Sequence, residues 1–98
     1  MTTAEKTVLR EEIRHLDGDT YSYTLSAGEG RHVACFGLTL YSVTVRMTTK
    51  DGKETSCTLE EIFADEKHAM RFFEKIVKNY ATPIDLPYVL EDEMRGNY

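Results

Sequence analysis

Residues 41–60 read YSVTVRMTTKDGKETSCTLE, and in this stretch apolar and polar side chains alternate on both sides of an Asp-Gly pair. Such alternation is typical of strands with one face buried and the other in solvent. If Lys50–Gly52 forms a three-residue loop, Val45 lies opposite Cys57 and the apolar residues of both runs share a face. A two-residue turn would instead place Val45 opposite Thr58. We therefore predict a β-hairpin with the longer loop, in which Gly52 adopts the left-handed conformation.

The N-terminal stretch contains a second Asp-Gly pair with similar flanks. The spacing of Leu9, Ile13 and Leu16 also suits one face of a helix. With Leu16–Gly18 as a loop of the same kind, however, Ile13 lies opposite Tyr21 and Leu9 lies opposite Leu25. This arrangement again places apolar side chains on a single face, so we prefer the strand interpretation and predict a second hairpin.

Residues Glu66–Tyr80 show the clearest helical pattern, because large apolar side chains recur there at helical spacing. Asp65 is a suitable N-cap, since its carboxylate can accept the free N–H groups of the first turn. A short second helix is predicted from Pro87 to Arg95. Strands that precede helices indicate an α+β fold: a four-stranded antiparallel sheet from two β-hairpins, one amphipathic helix packed on one face, and a short C-terminal helix. The predicted core comprises Leu9, Ile13, Tyr21, Tyr23, Leu25, Val43, Val45, Leu59, Ile62, Phe72, Phe73, Ile76, Val77, Leu86 and Leu90.

Composition bounds the class of protein. The 98 residues, 41% of them hydrophobic, fit a single globular domain, in which we expect residues 1–6 and 96–98 to be flexible. The net charge of −5 has the wrong sign for binding nucleic acid or anionic membranes.

Because the sequence shows neither a long apolar run nor a signal-like segment, we expect no membrane span and a cytoplasmic location. We predict that Cys35 and Cys57 are buried free thiols.

Patterns that would indicate catalysis or metal binding are weak. His32 and Cys35 lie three residues apart on a predicted strand, so their side chains point to opposite faces and disfavour a metal site. The segment Gly28–Gly30 lacks the Gly-Lys-Ser/Thr signature and the following helix of a phosphate loop. The sequence offers no nucleophile signature, and its Ser and Thr residues fit an exposed sheet face. We predict no catalytic residue, no metal, no cofactor and a solvated His68.

The C-terminal segment TPIDLPYVLEDEM, residues 82–94, is the strongest candidate for a functional surface. Its run Glu91–Glu93 stands near the end of the predicted helix, where the helix dipole disfavours negative charge. These carboxylates could act as general acids and bases, bind a hard metal ion, or pair with basic residues of the first helix. Ion pairing or solvation is the favoured interpretation. The candidate partner surface comprises Asp85, Tyr88, Glu91, Asp92, Glu93, Arg71, Lys75 and Lys78.

The segments FGLTL, residues 36–40, and PIDLPYVLEDEM, residues 83–94, resemble a family of short uncharacterised bacterial proteins, a domain of unknown function. That family has a Tyr-Gly-Ile type strand motif and a closing Pro-Ile-His-Leu segment followed by Val-x-Glu-Asp. This chain has Phe36 in place of the tyrosine and Asp85 in place of the histidine. The resemblance spans Tyr21–Met94 and implies no activity, substrate or cofactor. The matching positions are Phe36, Gly37, Leu38, Pro83, Ile84, Leu86, Leu90, Glu91 and Asp92.

Three functions are compatible with these features. Small size and the missing catalytic constellation favour a cytoplasmic protein-interaction or regulatory module without catalytic activity. Such a module would bind an unknown protein or form a homodimer, through a sheet edge, the open sheet face or the acidic segment. The alternative is a small enzyme or ligand-binding domain that uses Asp85 or Glu91 with Tyr88. An acidic decoy that occupies the nucleic-acid groove of a basic protein ranks third, because only residues 85–98 are clearly acidic.

Overall fold

The structure is a computed structural model that describes residues 7–30 and 37–95. Its elements are β1 (Thr7–Leu16), β2 (Asp19–Glu29), β3 (Thr39–Thr48), β4 (Glu54–Phe63), α1 (Glu66–Lys78) and α2 (Leu86–Arg95). The strands pair antiparallel in chain order, which makes one four-stranded meander. The predicted α+β class and sheet are therefore confirmed. The predictions for residues 1–6, residues 96–98 and Cys35 lie outside the described residues.

The β3–β4 hairpin has the predicted register. Val45 lies opposite Cys57, and Val43 lies opposite Leu59. Gly52 has a φ of 91°, a left-handed conformation that glycine adopts without steric cost. The thiol of Cys57 is free but only half-buried, because β4 forms an edge of the sheet. The turn residue and the alternation were thus sufficient to predict this hairpin.

The β1–β2 hairpin is shifted by one residue from the predicted register. Asp17 and Gly18 alone form its turn, with φ values of 54° and 87°, as a type I′ turn requires. Ile13 consequently lies opposite Ser22 and points to the open face of the sheet, where it is 54% exposed. Leu9 lies at a β-bulge of β1 and is also exposed. The prediction that Ile13 and Leu9 belong to the core was wrong.

The helix-facing side of β1 carries charged residues in place of apolar ones. Arg10, Glu12 and Arg14 alternate on this side. Long charged side chains can cover apolar surface with their stems while their ends reach solvent, and the Arg10 guanidinium lies 5.3 Å from the centre of the Phe73 ring. An edge strand at the margin of the helical layer therefore does not need apolar side chains on its inner side. For this reason the search for apolar pairs led to the wrong register.

The core lies between α1 and the inner strands. Asp65 caps α1 as predicted, because its carboxylate accepts the backbone N–H of His68 at 2.9 Å. The helix ends at Lys78, short of the predicted Tyr80, which adopts a left-handed φ of 52°. Leu59, Ile62 and Leu90 pack half-buried against the core. The buried hydrophobic residues are Tyr21, Tyr23, Leu25, Leu40, Tyr41, Val43, Val45, Phe63, Ala69, Phe72, Phe73, Ile76, Val77, Ala81 and Leu86.

The other face of the sheet carries short polar side chains. Thr24, Thr44 and Thr58 lie side by side on β2, β3 and β4. The hydroxyl groups of Thr44 and Thr58 are 3.0 Å apart, which is a hydrogen-bond distance. Both described helices follow the last strand, and α1 covers the opposite face through Phe72 and its neighbours. The sheet therefore has one apolar face and one face that is rich in hydroxyl groups.

Candidate interaction surface

Asp85 fixes the start of α2. Its backbone N–H donates to the hydroxyl of Thr82 at 3.1 Å, and its carboxylate accepts the backbone N–H of Thr82 at 3.4 Å. This reciprocal pair resembles a capping box, which satisfies two otherwise free donors of a first turn. Leu86 is fully buried as the first residue of α2, so the helix begins one residue before the predicted Pro87. Asp85 therefore orients the C-terminal helix.

Glu93 joins α2 to α1. Its carboxylate accepts hydrogen bonds from Nε2 of His68 at 2.8 Å and from the ammonium group of Lys75 at 3.3 Å. The Glu93 side chain is only 16% exposed. The hydrogen bond from His68, and then that from Lys75, hold the pKa of Glu93 below its ordinary value of 4.5. One member of the acidic run therefore pairs with the basic helix.

His68 does not have the solvated position that we expected from sequence. Its ring centre lies 4.3 Å from that of Phe63, and Nε2 faces Glu93. His68 and Lys75 stand seven residues apart on α1, so two helical turns bring them to the same side. That spacing is the sequence signal that could have identified His68 as a partner of the acidic segment.

Glu91 and Asp92 face solvent. They pair with Arg95 of their own helix, at 3.4 Å and 3.7 Å respectively. Exposed pairs of this kind contribute at most about 1 kcal/mol to stability, and Arg95 offsets part of the unfavourable interaction of the two carboxylates with the helix dipole. The acidic run is therefore divided: Glu93 holds two helices together, whereas Glu91 and Asp92 remain at the surface.

Tyr88 lies on the outward side of α2 together with Glu91 and Asp92, since these residues follow it by three and four positions. The Tyr88 side chain is 68% exposed, and Ile84 is 71% exposed. Pro87 and Met94 line a shallow groove along the flank of the helix. These side chains form a mixed apolar and acidic surface. We define the α2 surface as Ile84, Pro87, Tyr88, Glu91, Asp92 and Met94.

The basic residues of α1 are not gathered into one site. Lys75 pairs with Glu93, whereas Arg71 and Lys78 have no ion pair within the described part of the chain. Lys78 borders a different cleft, between α1 and β1. The charged residues of that cleft were missed by the sequence analysis because of the incorrect β1 register. They are Arg10, Glu12 and Arg14 of β1, of which Arg10 pairs with Glu74 of α1 at 3.5 Å.

The geometry gives no support to a site that combines Asp85, Glu91 and Tyr88 for catalysis. Asp85 caps a helix, Glu91 pairs with Arg95, and all of these side chains are exposed. Across residues 7–30 and 37–95, no group of three or more His, Cys, Asp or Glu side chains could hold a metal ion. None of the helices in the same ranges is long and apolar enough to cross a membrane.

Comparison with known proteins relates the chain to a family. A model for a family of unknown function, DUF6514, matches residues 4–96. No curated protein matches the chain, and no solved structure matches it. The family description assigns no activity, so the functional interpretation depends on the surface of this chain.

Proposed function

This chain belongs to DUF6514, a family of unknown function, and we propose that it is a small bacterial cytoplasmic module that binds another protein through the α2 surface. The observation that carries the proposal is the exposure of Tyr88 on α2, and of Ile84 just before it, while the opposite side of the helix is held in place. Leu86 holds that side by burial, and Glu93 holds it through hydrogen bonds to α1. The outward side chains are therefore available to a partner without being needed for the fold.

The α2 surface has the residue types of a binding surface. Tyrosine is enriched among the residues that dominate binding energy, because it buries a large area with few rotatable bonds. Glu91 and Asp92 flank Tyr88 with negative charge, and the net charge of the chain is −5. Complementary charge accelerates association and selects partners. We propose that the partner is a protein with an apolar groove bordered by Lys or Arg. The α2 helix would bind in this groove.

The cytoplasmic part of the proposal is supported by the thiol of Cys57. This thiol is free and half-buried, and reducing compartments keep cysteines in that form. The acidic composition is also compatible with a protein that stays in solution. Regulation of the partner by occupation of its groove is the simplest role for a chain of this size.

Site-specific photo-crosslinking tests the proposal. A photoreactive amino acid at position 88, introduced in cells, should capture a protein partner, whereas the same amino acid at Thr58 on the open sheet face should not. The purified partner should then bind Tyr88→Ala at least about tenfold more weakly than the original chain, with Thr58→Ala as the matched control. Capture from position 58 alone, or an affinity that is unchanged by Tyr88→Ala, would contradict the proposal.

A further inference from the structure

The outer edge of β1 offers unpaired backbone groups. In the two-residue β1–β2 turn, Leu16 and Asp19 flank the turn and exchange backbone hydrogen bonds. Backbone groups alternate in direction along a strand, so those of Glu11, Ile13 and His15 point away from β2. In the described sheet β1 has β2 as its single neighbour. These three residues thus present a row of donors and acceptors at an edge.

The charged side chains along this edge can face oppositely charged side chains of a second, antiparallel copy of β1. We propose that two copies of the chain pair antiparallel along β1 about a two-fold axis at Ile13, which joins their sheets into one. Antiparallel pairing about this axis places residue 12 opposite residue 14 of the second copy, and residue 11 opposite residue 15. Glu12, which pairs with Arg10 at 3.3 Å and Arg14 at 3.0 Å in its own strand, then also faces Arg14 of the second copy, and Glu11 faces His15, twice each. Ile13 meets its own copy on the open face, where it is now 54% exposed.

Other registers are disfavoured by charge. If the two-fold axis lies at residue 12 in place of residue 13, Glu12 faces Glu12 of the second copy, and Arg10 faces Arg14. If the axis lies at residue 14, Arg14 faces Arg14 of the second copy. Like charges directly opposite each other are destabilising. Inward-pointing charges commonly protect sheet edges from unspecific pairing, and among these three registers the same charges favour the one centred on Ile13.

The opposite edge of the sheet is interrupted near its end. Between the pairs Val43–Leu59 and Tyr41–Phe63, the segment Glu60–Ile62 lies opposite Ser42 alone, so β4 is bulged. The Ser42 hydroxyl accepts the backbone N–H of Glu61, which has a φ of 56°. Such irregularity bends the strand and interrupts its edge. The regular part of β1 that follows its bulge at Leu9 is therefore the favoured edge for a second copy. This proposal does not depend on the α2 surface.

A backbone test uses Ile13→Pro. Because the N–H of Ile13 points away from β2, proline at this position removes no hydrogen bond of the hairpin and is tolerated at an edge. Sedimentation equilibrium between about 1 µM and about 500 µM should show a monomer–dimer equilibrium for the original chain. Ile13→Val should retain the dimer, and Ile13→Pro should weaken it at least about tenfold. A chain that remains monomeric throughout this range would overturn the proposal.

A charge test examines the register and does not depend on the folding of the proline variant. Glu12→Arg leaves cations at positions 12 and 14, and Arg14→Glu leaves anions at both. Each variant should therefore repel its own copy and be monomeric. An equimolar mixture should form a heterodimer, because every pair between positions 12 and 14 then joins opposite charges. Failure of the mixture to associate, or a dimer of either variant alone, would contradict the proposed register.

A covalent test measures the position of the axis. Directly opposite residues with paired backbone groups have Cα atoms about 5.5 Å apart, within the range of a disulfide. Ile13→Cys should therefore form a disulfide-linked dimer on mild oxidation. Glu11→Cys should not, because its own copy lies several residues away, and the original chain controls for Cys35 and Cys57. Equal crosslinking of Ile13→Cys and Glu11→Cys would rule out the axis at Ile13.

Discussion

The hydroxyl of Tyr23 donates a 3.0 Å hydrogen bond to the backbone carbonyl of Ala81, and thereby joins the second strand to the segment between the two helices. Both residues are buried. Tyr23→Phe would leave the Ala81 carbonyl without this donor, which should lower the free energy of unfolding by about 1–3 kcal/mol. Urea denaturation monitored by circular dichroism measures the change.

Tyr21→Phe is the matched control for that prediction. Tyr21 is the neighbouring tyrosine on the same face of β2, and its ring lies parallel to that of Tyr23 with centres 6.4 Å apart. No hydrogen bond of its hydroxyl occurs within the described residues, so Tyr21→Phe should change the free energy of unfolding by less than about 0.5 kcal/mol. Equal effects of the two substitutions would show that the bond to Ala81 does not stabilise the fold.

Burial gives the same tyrosine a distinctive response to alkaline pH. Desolvation raises the pKa of Tyr23 from 10.0 to about 12. Because the pKa of Tyr23 is higher in the folded chain than in the unfolded chain, the contribution of Tyr23 to stability is complete below pH 10. This contribution is lost as the pH rises toward 12. This loss amounts to about 2 kcal/mol. The difference in unfolding free energy between the original chain and Tyr23→Phe should therefore shrink between pH 9 and pH 12, as measured by urea denaturation at each pH. A constant difference would contradict the raised pKa.

Glu93 should make the junction of the helices sensitive to acid. Its folded-state pKa is lowered, chiefly by the hydrogen bond from His68, so its contribution is complete above the ordinary pKa of 4.5 and is lost as the pH falls through the lowered value. Glu93→Gln should lower the free energy of unfolding by about 1 kcal/mol at pH 7. The difference between the two chains should diminish below pH 4.5.

Glu91→Gln is the control for this acid effect. Glu91 is exposed and pairs with Arg95 inside its own helix, so its replacement should cost less than about 0.5 kcal/mol at pH 7. Comparable losses for Glu91→Gln and Glu93→Gln would show that the contact of Glu93 with His68 adds nothing to the free energy of unfolding. Thermal denaturation at pH 7 and pH 3 distinguishes these outcomes.

The first hairpin turn gives a prediction about backbone conformation. Gly18 has a φ of 87°, and a Cβ at this position would lie 3.2 Å from Cβ of Lys50. Gly18→Ala should therefore lower the free energy of unfolding by about 1–2 kcal/mol. Asp17 also has a positive φ, so Asp17→Gly relieves strain and should change stability by less than about 0.5 kcal/mol. Urea denaturation compares the two variants, and a larger loss from Asp17→Gly would contradict the type I′ assignment.

The two hairpins show where sequence reasoning succeeds. For β3 and β4 the apolar residues face the core, so pairing Val45 with Cys57 gave the correct register. For β1 the same rule failed, because the inner side of an edge strand can carry Arg10 and Arg14. The decisive information was in the turn: Asp-Gly is the preferred sequence of a two-residue type I′ turn. Asp-Gly indicated the correct turn between β1 and β2, whereas the same pair between β3 and β4 lies in a longer loop, and there apolar pairing was the better guide.

The candidate surface was only partly readable from sequence. The unfavourable position of Glu91–Glu93 relative to the helix dipole identified the segment, with ion pairing or solvation as the favoured interpretation. The division of the run depends on a contact between His68 and Glu93, which are 25 residues apart. Such a contact depends on how α2 packs against α1, and a pattern within either segment alone does not predict it. The outward position of Tyr88 likewise follows from which side of α2 is buried.

The meander has a consequence for the order in which the chain can fold. Each strand pairs with the strand before it, so a chain that leaves the ribosome can extend its sheet one strand at a time. Closing such short loops costs little entropy and favours rapid folding. The bond from Tyr23 to Ala81, by contrast, spans 58 positions of the sequence. Completion of the core must therefore wait until the segment that follows α1 has been synthesised.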